Sequence, residues 1–391
     1  EDQSLGFERT ATLINAARKE FPNTLLLDNG DTIQGTALSD YQALVSPIAC
    51  DQTLAIYKVM NAAGFEGGGI GNHEFNYGLP YLSQVTGNRF NITGMADPAS
   101  QPVCKGPSFP QVLANVFSVK TEQPLFQPYA IVNKVVTGTG PDGKSVTGTV
   151  KVGIIGFTPP TILSWDKRWL DGKVYTLGVK EAAEKYIPEM RAKGADIVVA
   201  LLHGGLDSAA YSPTMENPGL HLSKVAGIDA MVMGHQHGVF PDTAATPSFN
   251  LPGVDHKAGT INGVPAVMAS SWGKALGVVQ LALQWDGAKW VVNKTASKSE
   301  LRNIQSKNAA GANVYVEPDA NIAALIETQH QAAIKYVKTP IGQTDFRMST
   351  LFADVGDPGA IQIVNQAQQA YVAAYIKAVR PEIKVIGVQT V

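Results

Sequence analysis

The sequence is short of several things, and each shortage closes off a class of protein. Charge is sparse: 16% of the 391 residues are Asp, Glu, Lys or Arg, and 31 basic against 33 acidic side chains leave a formal net charge of −2. No basic block stands out, so nothing favours a nucleic-acid polymer or an anionic membrane as partner, and no obligate protein partner is evident. No apolar run approaches the ~18 residues that mark a membrane-spanning helix. Cysteine occurs twice, at Cys50 and Cys104. Without a Cys-x-x-Cys spacing a thiolate metal site is not indicated. Two isolated cysteines either pair in an oxidising compartment or stay reduced, and both readings remain open. The opening "EDQSLGFERT" has neither the basic start nor the apolar core of an export signal, which fits an intracellular protein or one whose signal has been removed. There is no internal repeat and no low-complexity tract.

What is present is length, glycine and alternation. The chain is long enough for a large core and suggests two domains, and 38 glycines with 23 prolines make it rich in turns. "FERTATLINAARKEF" and "DQTLAIYKVMNAAGF" carry apolar residues at helical spacing, the second closed by Gly64. "NTLLLDNGD", "GGGIGNHE", "KVGIIGF", "ADIVVALLHGG" and "IDAMVMGHQH" read as strands, with helical segments such as "VKEAAEKYIPEMRAKG" between some of them. This is an α/β pattern. From about residue 262 the texture turns to strand-like runs around a Trp-Asp-Gly turn, which predicts an antiparallel meander. Residues 318–338 predict one long amphipathic helix burying Ile322, Leu325, Ile326 and Ile334. A second helix, "GAIQIVNQAQQAYVAAYIKAV", and a strand-like end, "KVIGVQTV", follow.

Four of the predicted strands end in the same kind of chemistry. They deliver Asp31 in "DNGDTIQG", Asn72 and His73 in "GNHE", His203 in "LLHGG", and His235 with His237 in "MGHQHG". Singly, each has a plain reading: Asn-Gly-Asp is a turn, and a histidine after an apolar run is a packed side chain. Together they say more, because four of the seven histidines stand at strand ends while His221, His256 and His330 fall in helix or loop contexts. In an open α/β sheet ligands bind at the carboxyl ends of strands. Carboxylate, amide oxygen and imidazole converging there suit borderline divalent ions such as Mn, Zn, Fe or Co. His-x-His on a strand would put both rings on one face.

The blocks "GDTIQG", "GNHEFNYG", "HGGLD" and "GHQHGVFP" resemble the signature blocks of the calcineurin-like metallophosphoesterases, in the branch of the 5′-nucleotidase family that acts on 2′,3′-cyclic nucleotides and 3′-nucleotides. The resemblance runs through essentially the whole chain. It implies a four-layer αββα sandwich with two divalent metal ions at the strand ends, and a linker helix leading to a truncated second domain. By position it makes Asp31 the carboxylate bridging both ions, Asn72, His203 and His235 ligands of one, and His237 a ligand of the other. His73 becomes the catalytic histidine facing the phosphoryl group, with Asn76 beside it where many 5′-nucleotidases have Asp. Glu74 is the weaker candidate for an acid, since adjacent side chains point apart. The resemblance further implies a small nucleotide as substrate, a periplasmic or secreted location, and domains at 1–317 (catalytic) and 318–391 (linker helix and start of a nucleotide-binding domain). The family's Asp-x-His strand is not found before "FERTATLINAAR", so the chain reads as a catalytic piece trimmed at both ends. Two other functions stay in view: a 5′-nucleotidase or UDP-sugar hydrolase, and a non-catalytic nucleotide- or metal-binding module.

Overall fold

A computed structural model describes residues 2–356 and 358–383, so the expected strand "KVIGVQTV" lies outside the described residues. The chain separates into two compact units, Glu1–Val337 and Lys338–Val391.

The first unit is organised by strands that are apolar on both faces. In Ile197–Leu202 all six residues are buried. Val198, Ala200 and Leu202 point into one hydrophobic cluster, and Ile197, Val199 and Leu201 into another. A strand covered on both sides needs no polar alternation, which is why this one reads as a continuous run. It pairs in parallel with Ser145–Phe157 on one side and Ala230–Met233 on the other. Beyond these the sheet continues through Val264–Ala269 to two short strands, and on the opposite side ends in Tyr129–Thr139. Helix Val179–Ala192 covers its outer face, with Ala182, Ala183, Tyr186, Ile187 and Met190 in the cluster.

A smaller parallel sheet, Leu27–Asp28, Gly67–Gly69 and Gln111–Val112, lies against the inner face. The inner layer between the sheets holds Val112, Ile154, Val199 and Leu201 with Leu25 and Leu27. On the far side of the small sheet, helices Ala55–Ala63 and Leu79–Thr86 bury Tyr57, Met60, Leu79, Leu82 and Val85. The order helix, sheet, sheet, helix is the four-layer αββα sandwich. Gly64 closes the first of these helices in the left-handed conformation, as its position in the sequence predicts.

Three expectations need correction. Val264–Ala269 does not start a meander; it is parallel to Ala230–Met233 inside the large sheet, since its run is buried on both faces like its neighbours. The antiparallel part is the hairpin Ala275–Trp285 with Trp290–Asn303. The helix expected over 318–338 is two helices, Ala320–Ala324 and Glu327–Val337. Asp319 caps the first through the amides of Asn321 and Ile322, and the break leaves Leu325 exposed rather than buried. The long hairpin Tyr129–Thr139 with Ser145–Phe157 extends the run "KVGIIGF" backwards through Ser145–Val150, where only Val146 and Val150 alternate toward the core.

The outer edge of Leu27–Asp28 pairs with no strand among the described residues. Together with Ala275–Leu283 of the hairpin, residues 25–28 line a cavity of about 1050 Å³, also lined by Asp31, His73, His203, His235 and His237. Of the second unit, helix Gly359–Val379 is present as expected and buries none of its residues. No helix among the described residues is long and apolar enough to cross a membrane.

Cys50 and Cys104 are disulfide-bonded across 54 residues of chain. Closing a loop of that length restricts the unfolded chain and contributes about 2–4 kcal/mol. Cys50→Ala/Cys104→Ala should lower unfolding free energy by that amount in denaturant titrations and leave the histidine cluster's metal uptake unchanged, because the bond belongs to the region of helix Ala55–Ala63 and not to the strand ends.

Candidate metal centre and active site

Asp31, Asn72, His203 and His235 come from four different strand ends and meet. Asp31 lies three residues beyond Leu27–Asp28 with φ 60°, and Asn72 three beyond Gly67–Gly69. His203 directly follows Leu202, and His235 lies two past Met233 with φ 66°. The two turns at 30–31 and 71–72 press on each other. A Cβ at Gly71 would fall 2.3 Å from Asp31 Oδ1 and 2.8 Å from His203 Cε1, so only glycine fits before Asn72.

The contacts within the cluster run between atoms that carry lone pairs. His203 Nε2 is 2.9 Å from Asp31 Oδ2 and 3.1 Å from Asn72 Oδ1, and His235 Nδ1 is 3.0 Å from the same Asn72 oxygen. The other nitrogen of each ring already has an acceptor. His203 Nδ1 donates to the carbonyl of Asn29 at 2.7 Å, and His235 Nε2 to Glu216 Oε1 at 2.7 Å. In the neutral rings this leaves Nε2 of His203 and Nδ1 of His235 unprotonated. Two oxygens and two imine nitrogens then face one another with no proton between them, and a cation resolves that arrangement. The donor set fits a divalent metal, and the outer carbonyl and carboxylate are the partners that orient metal-binding histidines. Ligand atoms of Asp31, His203 and His235 all lie within 4.8 Å of one another.

The electrostatics mark the cluster as a point that attracts positive charge, a proton when no metal ion is bound. Burial pushes the Asp31 carboxyl up, but the His203 ring and the His73 N–H outweigh it and hold it below the ordinary carboxylate range. Burial likewise pushes His203 down, and Asp31 outweighs it, so the ring's affinity for a proton is raised. His235 moves the other way, lowered mainly by burial against the opposing pull of Glu216.

His73 stands to one side. Its Nε2 is 4.0 Å from Asp31 Oδ2, its side chain is 41% exposed, and its Nδ1 meets Asn76 Oδ1 at 2.5 Å. The two belong to the 3₁₀ turn that starts at His73, whose three-residue period stacks side chains i and i+3. His237 has φ 55°, is exposed, and has its ring 5.6 Å from Trp272, outside the cluster of Asp31, His203 and His235 but on the wall of the same cavity. The expectation that His235 and His237 share a strand face fails because the strand stops at Met233 and both histidines lie on a left-handed turn.

Sequence reasoning misses four supporting residues. Asn29 ties the two sheets, donating from Nδ2 to the Leu202 carbonyl while its own carbonyl takes His203. Glu74 is not an acid facing the site. It is buried, and its carboxylate accepts the backbone N–H groups of Gly71, Asp31 and Thr32 at 2.7, 2.8 and 2.5 Å, locking the two turns together. Burial, then the Asp31 charge, push its pKa up to about 7 against those N–H bonds. Glu216 and Asp166 sit in loops with no motif around them. None of these four is marked by its backbone, but the site itself is: of eight non-glycine residues with positive φ among the described residues, Asp31, His235, His237, Ser270 and Trp272 line the cavity. Each costs ~1–3 kcal/mol and persists only where the surroundings enforce it.

A four-layer sandwich that gathers one carboxylate, one amide and two imidazoles at parallel strand ends defines a metallophosphoesterase, and the model of the calcineurin-like phosphoesterase family matches residues 4–239. The chain belongs to that family. It is 41% identical over 375 residues to the 2′,3′-cyclic-nucleotide 2′-phosphodiesterase/3′-nucleotidase of Salmonella typhimurium, covering 96% of this chain and 53% of that protein. The protein of the same name from Haemophilus influenzae is 41% identical over 370 residues, covering 94% and 51%. The chain thus spans about half the length of these curated relatives. The crystal structure of calcineurin-like phosphoesterase YfkN from Bacillus subtilis superposes with a TM-score of 0.72 at 36% identity, covering 87% of this chain and 92% of that one.

Proposed function

We propose that the protein hydrolyses nucleotide phosphoesters in a divalent-metal-dependent reaction, with 2′,3′-cyclic nucleotides and 3′-nucleotides as substrates. The observation that carries the reading is the cluster of four lone-pair atoms, Asp31 Oδ2, Asn72 Oδ1, His203 Nε2 and His235 Nδ1, with the other nitrogen of each ring bonded to an acceptor outside it. The names of the relatives above support the substrate class. In this reading these four residues hold one ion, and Asp31 with His237 contributes to a second. Divalent ions held there would make water nucleophilic at neutral pH and offset negative charge on the phosphoryl group.

The remaining chemistry falls to the chain's own groups. Asp31 Oδ1 holds the His73 backbone N–H, so the carboxylate and the histidine keep a fixed spacing. Asn76 takes Nδ1–H of His73, which turns Nε2 toward the site, where its protonated form gives a proton to the leaving oxygen. Trp165, stacked 5.5 Å from the His235 ring, and Trp272, 5.6 Å from the His237 ring, are half-exposed aromatic faces beside the reacting groups. Residues 1–317 carry this machinery, and 318–391 are read as a linker segment and the start of a nucleotide-holding part. The Cys50–Cys104 bond supports an oxidising compartment, periplasmic or extracellular.

Glu216→Ala should weaken binding of Mn²⁺ by about 10–100-fold in a calorimetric titration, because His235 loses the acceptor that orients its ring. The assigned function is tested with the purified protein and Mn²⁺ by following loss of each nucleotide and appearance of its products chromatographically, with no second enzyme present. A 2′,3′-cyclic nucleotide and a 3′-nucleotide should be cleaved in preference to a 5′-nucleotide. Preference for the 5′-nucleotide would move the protein to the 5′-nucleotidase reading, and no cleavage with any divalent metal would leave a binding module.

A further inference from the structure

We propose that Asp166 is a positioning residue that sets the tautomer of His73 through Asn76, an inference that rests on the catalytic role given to His73 above. An amide has two ends of nearly equal size and opposite polarity. With Oδ1 toward His73, Asn76 accepts from Nδ1–H and leaves Nε2 as the atom open to the site. With Nδ2 toward His73, it demands a lone pair on Nδ1 and forces the proton to Nε2. Asn76 itself has no preference between these states.

Asp166 supplies the preference. It is 7% exposed, and both of its carboxylate oxygens meet Asn76 Nδ2, at 3.2 and 3.1 Å. An ionised carboxylate only accepts, so it selects the amide orientation in which Nδ2 faces it and Oδ1 faces the histidine. The Asn76 backbone is fixed independently, because its carbonyl accepts from Trp169 Nε1 at 2.9 Å. The side chain is therefore free to express the choice that Asp166 makes.

The arrangement couples the identities of residues 76 and 166. Asn76 with Asp166 holds Nδ1–H, and so does Asp at 76 with Asn at 166, since the new amide donates to the new carboxylate and the other oxygen takes the histidine. Two carboxylates at these positions would repel at hydrogen-bond distance. An alanine at 166 leaves Asn76 free to turn over.

The test is a compensation experiment with two readouts, made in the protein carrying residues 1–391. Hydrolysis of a 2′,3′-cyclic nucleotide with Mn²⁺ gives kcat and KM, and long-range ¹H–¹⁵N correlation spectra of the imidazoles, assigned through His73→Gln, give the tautomer without requiring activity. Asn76→Asp should lower kcat by about 10–100-fold with KM and bound Mn²⁺ unchanged. Asn76→Asp/Asp166→Asn should return kcat to within about threefold of the parent. Asp166→Ala should convert a single Nδ1–H signal of His73 into a mixture with the Nε2–H form. A double variant no better than Asn76→Asp, or an unchanged Nδ1–H tautomer in Asp166→Ala, overturns the inference. Absence of any phosphoester hydrolysis by the parent protein would instead contradict the proposed function, and the spectra would still decide the role of Asp166.

Discussion

Replacing Asp31 with Ala should remove tightly held divalent metal and lower phosphoester turnover by about 10³-fold or more, since ions bound beside the reacting phosphorus contribute several kcal/mol to the transition state. Asp31 is the one carboxylate in the four-atom cluster, and its two oxygens do separate jobs. Oδ2 faces His203 Nε2 at 2.9 Å, while Oδ1 accepts the His73 backbone N–H at 2.8 Å. Alanine deletes the charge that makes the cluster attractive to a cation and frees the turn carrying His73. Asp31→Asn separates these losses: its amide oxygen keeps the backbone bond and the turn, so it should fold like the parent yet bind metal far more weakly. Metal content after exhaustive dialysis, measured beside the melting temperature, checks both. Parent-like stoichiometry in both variants would remove Asp31 from the ligand set.

His73→Ala should lower kcat by about 10²–10⁴-fold and leave metal content where it was. The ring is exposed on one side, touches the cluster only across 4.0 Å, and lies in a turn whose backbone bonds do not involve the imidazole. Removing it takes away a proton donor and little else. The loss should also depend on the leaving group. A nucleoside hydroxyl needs a proton as the P–O bond breaks, whereas an activated aryl oxide departs as the anion, so the aryl phosphodiester should suffer far less than the cyclic nucleotide. Equal losses on both substrates, or metal lost in step with activity, would make His73 a ligand or a scaffold residue.

The parts of this site that were legible in the sequence are those in which one strand carries one message. Apolar runs stopping at Asp31, Asn72, His203 and His235 announce both the α/β core and the atoms at its edge, because a strand buried on both faces must be apolar until it leaves the sheet. What joins those strand ends was not legible. Asn29, Glu74 and Glu216 act by reaching across to other elements, at sequence distances from 19 to 174 residues, and nothing in their neighbours marks that reach. The pairing of His235 and His237 was misjudged because period-2 reasoning holds only inside a strand, and this one ends at Met233. Helix propensity carried the expected helix straight through Leu325 and Ile326, where the structure has a break. Nothing in the sequence decides the cysteine pair, because a separation of 54 positions says nothing about whether two thiols meet.

The central claim is that Asp31, Asn72, His203 and His235 form a divalent-metal site. Anomalous diffraction at the manganese edge, from crystals of the protein grown with Mn²⁺, tests it most directly. A peak is expected about 2.0–2.3 Å from Asp31 Oδ2, Asn72 Oδ1, His203 Nε2 and His235 Nδ1, with both rings keeping their bonds to Asn29 and Glu216. A map with no peak among these four atoms at saturating Mn²⁺, or one in which His235 has turned its Nε2 to the ion and left Glu216, would contradict it.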